Sequence, residues 1–451
     1  MMAQKNNLVA AVDIGTTKIV AILGRKNENG KLEILGMSKT PSEGVKRGVV
    51  TNIQEVVNAI QIAVEDVTAR TGEKVDDVFV GIAGQHIRSQ KNRGQRYIGA
   101  QNDFEITKID VDELRDDMLR IPIEPGEEIL HVLPQTYFVD NEDVTNSPVG
   151  MSGKLLEGNF HIVIGQISSA KNIEKCVNRV GLNVKELILE PLASSAACLT
   201  ADECEAGVAL VDIGGGTTDI AVYYDNVIRH TAVVPFGGNV VTRDIKEGCQ
   251  ILQRYAEMLK VQYGSALGDI APEEKVVSIP GIAGRDPKEI SFKTLAYIIQ
   301  SRMEEIIDAV SFEIENSGFK DKLGAGIVLT GGGALLRHLP QLVKYRTGLD
   351  VRIGLPTEYL ASNTSEDIMQ PMYSTSVGLL LRGIEYFEEH KDEIKTEAPQ
   401  PVEVVEEKQE DEAVLMEEET VEASDTRFGI FDSIKRTFTE IFDDKGARLD
   451  D

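Results

Sequence analysis

The chain has 451 residues, 42% of them hydrophobic, and a formal net charge of −27. That length exceeds one simple domain and predicts two or more units, each with a sizeable core. The acidic balance excludes a nucleic-acid binder, which needs a basic face to displace counterions from phosphates.

Residues 1–7 are polar and the next apolar run is a strand broken by Asp13, so no signal peptide is expected. Leu8-Val-Ala-Ala-Val-Asp-Ile-Gly-Thr-Thr-Lys-Ile-Val-Ala-Ile-Leu23 reads as strand, tight turn, strand. A third strand is expected over 32–37, after the Asn27-Glu28-Asn29-Gly30 turn. Asn52 then caps a helix over 53–70, with Ile53, Val56, Val57, Ile60, Ala63, Val64 and Val67 at helical spacing and Gly72 as its stop. Residues 78–83 form a buried-type strand.

The texture changes over 84–165. Basic residues cluster first (His86, Arg88, Lys91, Arg93, Arg96), then a helix-like acidic segment over 110–120, then strand-like runs over 128–139 and 160–167. This predicts a small α+β subdomain inserted in the first large domain. The basic run fits a phosphate or an acidic partner, or simply a solvated loop. A helix over 169–180 stopped by Gly181, a strand over 184–189 and a helix from Glu190 follow, the last with Pro191 in its first turn. Its small residues suit a close crossing between domains. Glu190 stands either to orient a water at a γ-phosphate or to stabilise the helix dipole.

Ala209-Leu-Val-Asp-Ile-Gly-Gly-Gly-Thr-Thr-Asp-Ile-Ala-Val222 is again strand, turn, strand. Gly214, Gly215 and Gly216 leave no Cβ between backbone N–H groups and a phosphate, and Thr217 and Thr218 add hydroxyl donors. Asp212 and Asp219 place carboxylates where a phosphate-bound Mg²⁺ needs oxygen ligands or hydrogen-bonded waters. Val12-Asp-Ile-Gly15 repeats here as Val211-Asp-Ile-Gly214, and Thr16-Thr17 reads against Thr217-Thr218. Two copies this far apart predict two similar domains facing each other, each offering one phosphate-gripping hairpin.

Residues 236–245 form a glycine turn, with Gly238, leading into a helix. A helix over 253–262 puts Glu257 and Lys260 on one face, to grip a ribose and adenine or to form a surface ion pair. A long amphipathic helix over 294–316 ends at Gly318. Ala325-Gly-Ile-Val-Leu-Thr-Gly-Gly-Gly-Ala-Leu-Leu336 is a third glycine device, a strand running through Gly331, Gly332 and Gly333 into a helix. A closing helix over 373–388 returns the chain to the first domain. Cys176, Cys198, Cys204 and Cys249 show no paired spacing and read as free thiols of a reducing compartment.

The tail divides in two. Residues 391–425 carry a heavy acidic excess and few large apolar side chains, which predicts a disordered linker. Over 427–444, Phe428, Ile430, Phe431, Ile434, Phe438, Ile441 and Phe442 fall on one helical arc of roughly 160°. Such a helix lies in a membrane interface or docks in a partner's groove, and we favour the membrane. Its polar face is only modestly basic, so stable attachment calls for several copies in one assembly, which links the tail to self-association. No stretch approaches the ~18 apolar residues that span a bilayer.

These motifs resemble the actin/Hsp70/sugar-kinase ATPase superfamily: Asp13-Ile-Gly-Thr-Thr17, Asp212-Ile-Gly-Gly-Gly-Thr-Thr-Asp219 and Leu329-Thr-Gly-Gly-Gly333. Within it the chain is similar to the FtsA family of bacterial cell division, through Val211 to Val222, Arg229-His-Thr231, Gly237-Gly-Asn-Val-Val-Thr242, Ile327-Val-Leu-Thr-Gly-Gly-Gly333, and the acidic tether with its amphipathic end. The resemblance implies an α/β, bilobed actin-like (ribonuclease-H-like) ATPase fold with an α+β subdomain inserted in the first lobe. The first lobe is then expected over 1–83 and 166–200, closed by helix 373–388, with the insert at 84–165. The second is expected over 201–372, including a nucleotide-binding part at about 240–318, before the disordered tail and its amphipathic helix.

The resemblance further implies ATP and Mg²⁺ as ligands. Asp13 and Asp212 would face the Mg²⁺ through water. Gly15, Thr16, Thr17, Lys18, Gly214, Gly215, Gly216, Thr217 and Thr218 would hold the phosphates, and Gly238, Glu257, Lys260, Gly331, Gly332 and Gly333 the nucleoside. Glu190 matches the position that orients a water. Implied partners are other copies in a filament, the tubulin-like FtsZ ring, other division proteins and the cytoplasmic face of the cell membrane at the division site, with no nucleic acid. Membrane contact falls to Phe428, Phe431, Ile434, Phe438, Ile441 and Phe442. On this reading bound ATP sets the polymer's state rather than driving turnover, and the protein is not primarily an enzyme. The alternatives are a sugar or acid kinase of the same superfamily and an actin-like scaffold for pilus assembly or cell shape.

Overall fold

The computed structural model describes residues 8–144, 147–281 and 285–390. The acidic linker expected at 391–425 and the amphipathic segment at 427–444 lie outside the described residues. Among those described, no helix is long and apolar enough to cross a membrane.

The first lobe is built on β1 (Leu8–Ile14), β2 (Lys18–Lys26), β3 (Leu32–Pro41), a short hairpin of β4 (Val45–Lys46) and β5 (Val49–Val50), α1 (Ile53–Thr71) and β6 (Asp77–Ile82). Asn52 caps α1 by accepting from the Gln54 and Glu55 amides, and Gly72 ends it in the left-handed region at φ 72°. The insert follows as β7 (Arg88–Tyr97), α2 (Lys108–Met118), β8 (Glu127–Val139), β9 (Glu142–Val144) and β10 (Leu155–Gln166). The chain then returns through α3 (Ile167–Arg179), β11 (Asn183–Leu189) and α4 (Glu190–Cys198).

The second lobe comprises α5 (Ala201–Ala206), β12 (Val208–Ile213), β13 (Thr218–Tyr224), β14 (Val227–Val234), α6 (Gly238–Cys249), α7 (Gln253–Tyr263), β15 (Val276–Ile279), β16 (Lys288–Ser291) and α8 (Phe292–Ser317). It ends with β17 (Ile327–Thr330), α9 (Leu339–Thr347), β18 (Val351–Ile353) and the closing helix α10 (Ser374–Glu389).

The two main sheets share one topology. Their strand orders are β11-β6-β1-β2-β3 and β14-β13-β12-β17-β18, each an antiparallel meander extended by two parallel strands. The pairing Asp13↔Val20 and Ile14↔Ile19 in one sheet matches Asp212↔Asp219 and Ile213↔Thr218 in the other. This register corrects the sequence alignment of the turns. Thr16 and Thr17 stand opposite Gly215 and Gly216 in the repeat, not opposite Thr217 and Thr218.

One apolar core backs each sheet. That of the first lobe includes Val12, Val57, Ile60 and Ile173, and that of the second Val211, Ile245, Ile299 and Ile306. A further core joins both sheets through the crossing helices: Val9, Phe79, Leu192, Leu210, Ala221, Val377 and Leu380 pack together. Burying such side chains is worth ~1.5–3 kcal/mol each. The helices therefore tie the two sheets into one shared core.

The insert forms its own antiparallel sheet, β7-β10-β8-β9, with Leu114 and Met118 of α2 packed against Phe160 and Ile162. The basic run is not a loop. Its arginines lie on β7 and spend their charge within the insert: Arg88 pairs with Glu127 at 2.5 Å, Arg93 with Glu157 at 3.0 Å, and Arg96 with Glu113. The insert also touches the second lobe along β14. His161 Nε2 lies 2.8 Å from Thr231 Oγ1, Ser89 donates to the Thr231 carbonyl, and Gln135 donates to those of Ile228 and Arg229.

Candidate functional site

The two hairpin turns meet face to face. A Cβ added to Gly215 would strike the Thr17 methyl, and one on Gly216 would lie 2.5 Å from Thr16 Oγ1. The second turn lacks side chains where the first carries threonines, so one nests into the other. Between them lies an inner cleft of about 60 Å³, lined by Asp13, Gly15 to Lys18, Glu190, Asp212, Gly214 to Thr217, Asp219, Gly331 and Gly332.

The crossing helices hold the cleft's carboxylates. Ser194 of α4 donates to Asp212 Oδ2 at 2.6 Å, and Thr375 of α10 donates to the same oxygen at 3.2 Å. Ser376 donates to Asp13 Oδ2 at 2.7 Å. The crossing helices and the site are therefore one hydrogen-bonded unit. The sequence reading missed Ser194, Thr375 and Ser376. A signal was there: Ser194 stands four residues after Glu190, on the same helix face.

Four carboxylates, Asp13, Glu190, Asp212 and Asp219, line this cleft with Lys18 as the facing cation among the described residues. Burial raises the Asp219 pKa to about 8, with nearby Asp212 adding to the effect. Glu190 is pushed well above the carboxylate range by burial and then by Asp13, Asp219 and Asp212, with Lys18 opposing. Burial raises Asp212 too, against the donors Ser194 and Thr375. Thr217 donates to Asp219 Oδ2 at 3.0 Å, while Oδ1 is buried without a partner.

An uncompensated acidic cleft with an orphaned carboxylate oxygen suits a divalent cation. No group of three His, Cys, Asp or Glu side chains among the described residues closes on one point as a direct ligand cage. The carboxylate oxygens are of the hard type that Mg²⁺ takes, directly or through waters of its own. Glu190 is seated by Gly81 of β6, where an added Cβ would lie 3.1 Å from the Glu190 Cγ.

Of the proposed phosphate residues, Thr218 is turned away. It is fully buried and its hydroxyl donates to the Phe236 carbonyl at 2.9 Å. The alternation of β13 aims Asp219 at the cleft and Thr218 at the opposite face.

A second cavity of about 290 Å³ continues from the turns, lined among others by Gly238, Glu257, Lys260, Gly332, Gly333 and Arg337. Lys260 Nζ lies 2.9 Å from Glu257 and donates to the Gly238 carbonyl and to Thr242 Oγ1. Thr242, a further residue missed in the sequence, also bonds Glu257. Gly331 lines the inner cleft instead, at φ 81°, where a Cβ would collide with Asp212 Oδ1. The glycine run leads into a single 3₁₀ turn, Gly332–Leu335, and not directly into an α-helix. His338, left-handed at φ 61°, separates that turn from α9, and the α-helix that begins at the cavity is α6, through Gly238 and Asn239.

Two family models match the chain, "Cell division protein FtsA" over residues 209–378 and "SHS2 domain inserted in FTSA" over 84–164. The cell division protein FtsA of Pseudomonas aeruginosa is 40% identical over 382 residues, covering 85% of this chain and 90% of the relative. This chain belongs to the FtsA family of cell division proteins. The FtsA of Escherichia coli K12 is 37% identical over 390 residues, covering 85% of this chain and 92% of its own length.

Solved structures share the fold at low identity. A PilM-PilN type IV pilus biogenesis complex superposes with TM-score 0.59 at 16% identity, covering 83% of this chain and 98% of that one. MreB5 of Spiroplasma citri bound to ADP gives 0.50 at 15%, covering 87% and 99%. The fold is therefore the actin-like α/β fold, carrying the SHS2 insertion of the FtsA family.

Proposed function

We propose that this FtsA-family chain is an ATP-dependent clamp that polymerises and tethers the FtsZ ring to the cytoplasmic face of the cell membrane. The observation that carries the nucleotide part is the pair of opposed turns over four carboxylates, one with an orphaned oxygen. Gly15 to Lys18 and Gly214 to Thr217 would hold the phosphates. Asp13, Asp212 and Asp219 would hold the waters of a Mg²⁺, which supplies charge neutralisation between the lobes. The larger cavity, with Glu257, Lys260, Gly332 and Gly333, would take the nucleoside. A protein of the same fold, MreB5, is bound to ADP in its solved structure.

Bound nucleotide acts mainly by holding the lobes closed about α4 and α10. Burial, and after it the neighbouring carboxylates, push the Glu190 pKa upward, and on this reading turnover is the lesser part of the clamp's work. The Phe-bearing segment at 427–444 supplies the membrane contact, and weak anchors from several copies add in a polymer. Co-sedimentation of the full chain with liposomes and FtsZ, with and without Mg²⁺ and ATP, tests the proposal. All components pelleting together with ATP is the expected result. Pelleting of neither FtsZ nor the chain with liposomes rejects the tether.

A further inference from the structure

Three cations meet at the mouth of the cleft in a protein of net charge −27. A cavity of about 720 Å³ opens outward from Thr16, Gly215 and Gly216, and Lys46, Arg47 and Arg243 line it against Glu43. Among the described residues none of these three cations is in an ion pair. Lys46 and Arg47 belong to the first lobe and Arg243, on α6, to the second. The lining therefore carries three cations against one carboxylate, and it also forms the rim of the phosphate turns.

The backbone under Arg47 is unusual. Arg47 and Gly48 form the two-residue turn between β4 and β5, at φ 50° and 74°. A side chain at Arg47 makes that left-handed backbone strained, whereas Gly48 adopts it freely. The turn rides on both phosphate hairpins. The Gly48 amide donates to Thr16 Oγ1 at 3.3 Å, and the Arg47 Cα lies 3.0 Å from where a Cβ on Gly216 would be. The guanidinium sits 6.0 Å from the Phe236 ring of the second lobe and 3.4 Å from Gln85 at the start of the insert. An exposed, unpaired cation is thus held across the gap between lobes, directly over the turns.

We infer that the Arg47-Gly48 turn is a latch that reads the terminal phosphoryl group of a bound nucleoside triphosphate, with Arg243 closing on it from the other lobe. The inference rests on the nucleotide reading above and adds its specificity. The extra charge of a triphosphate would draw Arg47 and Arg243 together and close the lobes. A diphosphate, one phosphoryl group shorter, would leave the two cations apart. Guanidinium groups suit this task because their forked donors match phosphoryl oxygens.

The test is equilibrium binding of the full chain, with Mg²⁺, to a non-hydrolysable ATP analogue, to ADP, and to ADP plus inorganic phosphate. Wild type, Arg47→Ala, Arg243→Ala and the double variant are compared. A charge-assisted contact of this kind predicts a loss of roughly tenfold in analogue affinity for each single variant. ADP affinity should change less than about twofold, and the double variant should lose less than the product of the singles if the two act as one clamp. Equal losses for ADP and analogue, or none for either, overturn the latch. Recovery of the analogue's affinity by ADP plus phosphate would reassign the anion as free phosphate and overturn the triphosphate assignment. Wild type binding neither nucleotide would instead overturn the nucleotide reading, and the latch with it. A melting temperature held at the wild-type value shows that the exposed substitutions leave the fold intact.

Discussion

The Thr17 methyl fills the space that a Cβ on Gly215 would need. The three atoms nearest that added carbon all belong to the Thr17 side chain, and beside it Gly216 faces Thr16 in the same way, so the two hairpins constrain each other at adjacent positions. Closure of the lobes therefore depends on a glycine on one side and a threonine on the other, one position apart in the register of the repeated motif.

Gly215→Ala should open the cleft. Overpacking of this kind costs ~1–3 kcal/mol, which predicts about a five- to hundredfold loss of nucleotide affinity. The rest of the fold should be unchanged by circular dichroism. Thr17→Ser removes the clashing methyl while keeping the hydroxyl, and should restore most of the affinity in the double variant. Titration calorimetry on the four proteins checks this, and additive losses with no rescue would mean that the turns do not meet in solution.

Ser194→Ala tests the tie between the crossing helices and the site. Its hydroxyl gives Asp212 the shorter of the two helix-borne hydrogen bonds to Oδ2. Losing a donor to a buried carboxylate costs ~1–3 kcal/mol. The melting temperature should fall by a few degrees, and Mg²⁺-dependent nucleotide binding should weaken with it. Ser195→Ala on the neighbouring position is the control, because Ser195 donates to the Pro191 carbonyl of its own helix and not to Asp212. It should leave the Mg²⁺ dependence unchanged.

Much of this was legible in the chain. Asp13-Ile-Gly and Asp212-Ile-Gly mark the two hairpins because a turn that small tolerates few residues, and Asn52 and Gly72 mark α1 because caps have local chemistry. Residues set by distant partners were harder to read. Thr218 looks like a phosphate donor beside Thr217, yet strand alternation points it at Phe236. Arg88 and Arg93 look like a free basic run until Glu127 and Glu157 come alongside from other strands. Ser376 meets Asp13 from the far end of the sequence, a contact with no local signature.

Phe431→Asp with Phe438→Asp should abolish binding to anionic liposomes. Each phenylalanine is expected to contribute a few kcal/mol of interfacial burial, and a carboxylate reverses it. Nucleotide affinity should stay within about twofold of wild type, because the substitutions lie well outside the cleft sequence motifs. Flotation assays check the first part and calorimetry the second. Retained flotation would move the membrane contact elsewhere in the chain.

Acid should weaken the seam between the insert and the rest of the molecule. His161 and His131 are each held down to a pKa of about 4 by burial, with His230 and Lys91 adding to the effect at His161 and Arg382 at His131. His161 faces Thr231 of β14, and His131 Nε2 accepts from the Leu189 amide just before Glu190. Both are neutral in the fold, whereas an unfolded histidine takes up a proton below about 6.5. Between pH 6.5 and 4 the unfolded chain therefore binds more protons, so the stability these residues contribute is full above 6.5 and falls as the pH drops through that window. By pH 5 the loss is on the order of 2 kcal/mol per histidine. Relief of repulsion in so acidic a chain acts in the opposite sense, so the readout is the difference between wild type and variant. Thermal unfolding of wild type, His161→Gln and the His131→Gln, His161→Gln pair from pH 7 to 5 should show each substitution flattening the decline. Parallel curves for all three proteins would show that these side chains are solvated and titrate normally.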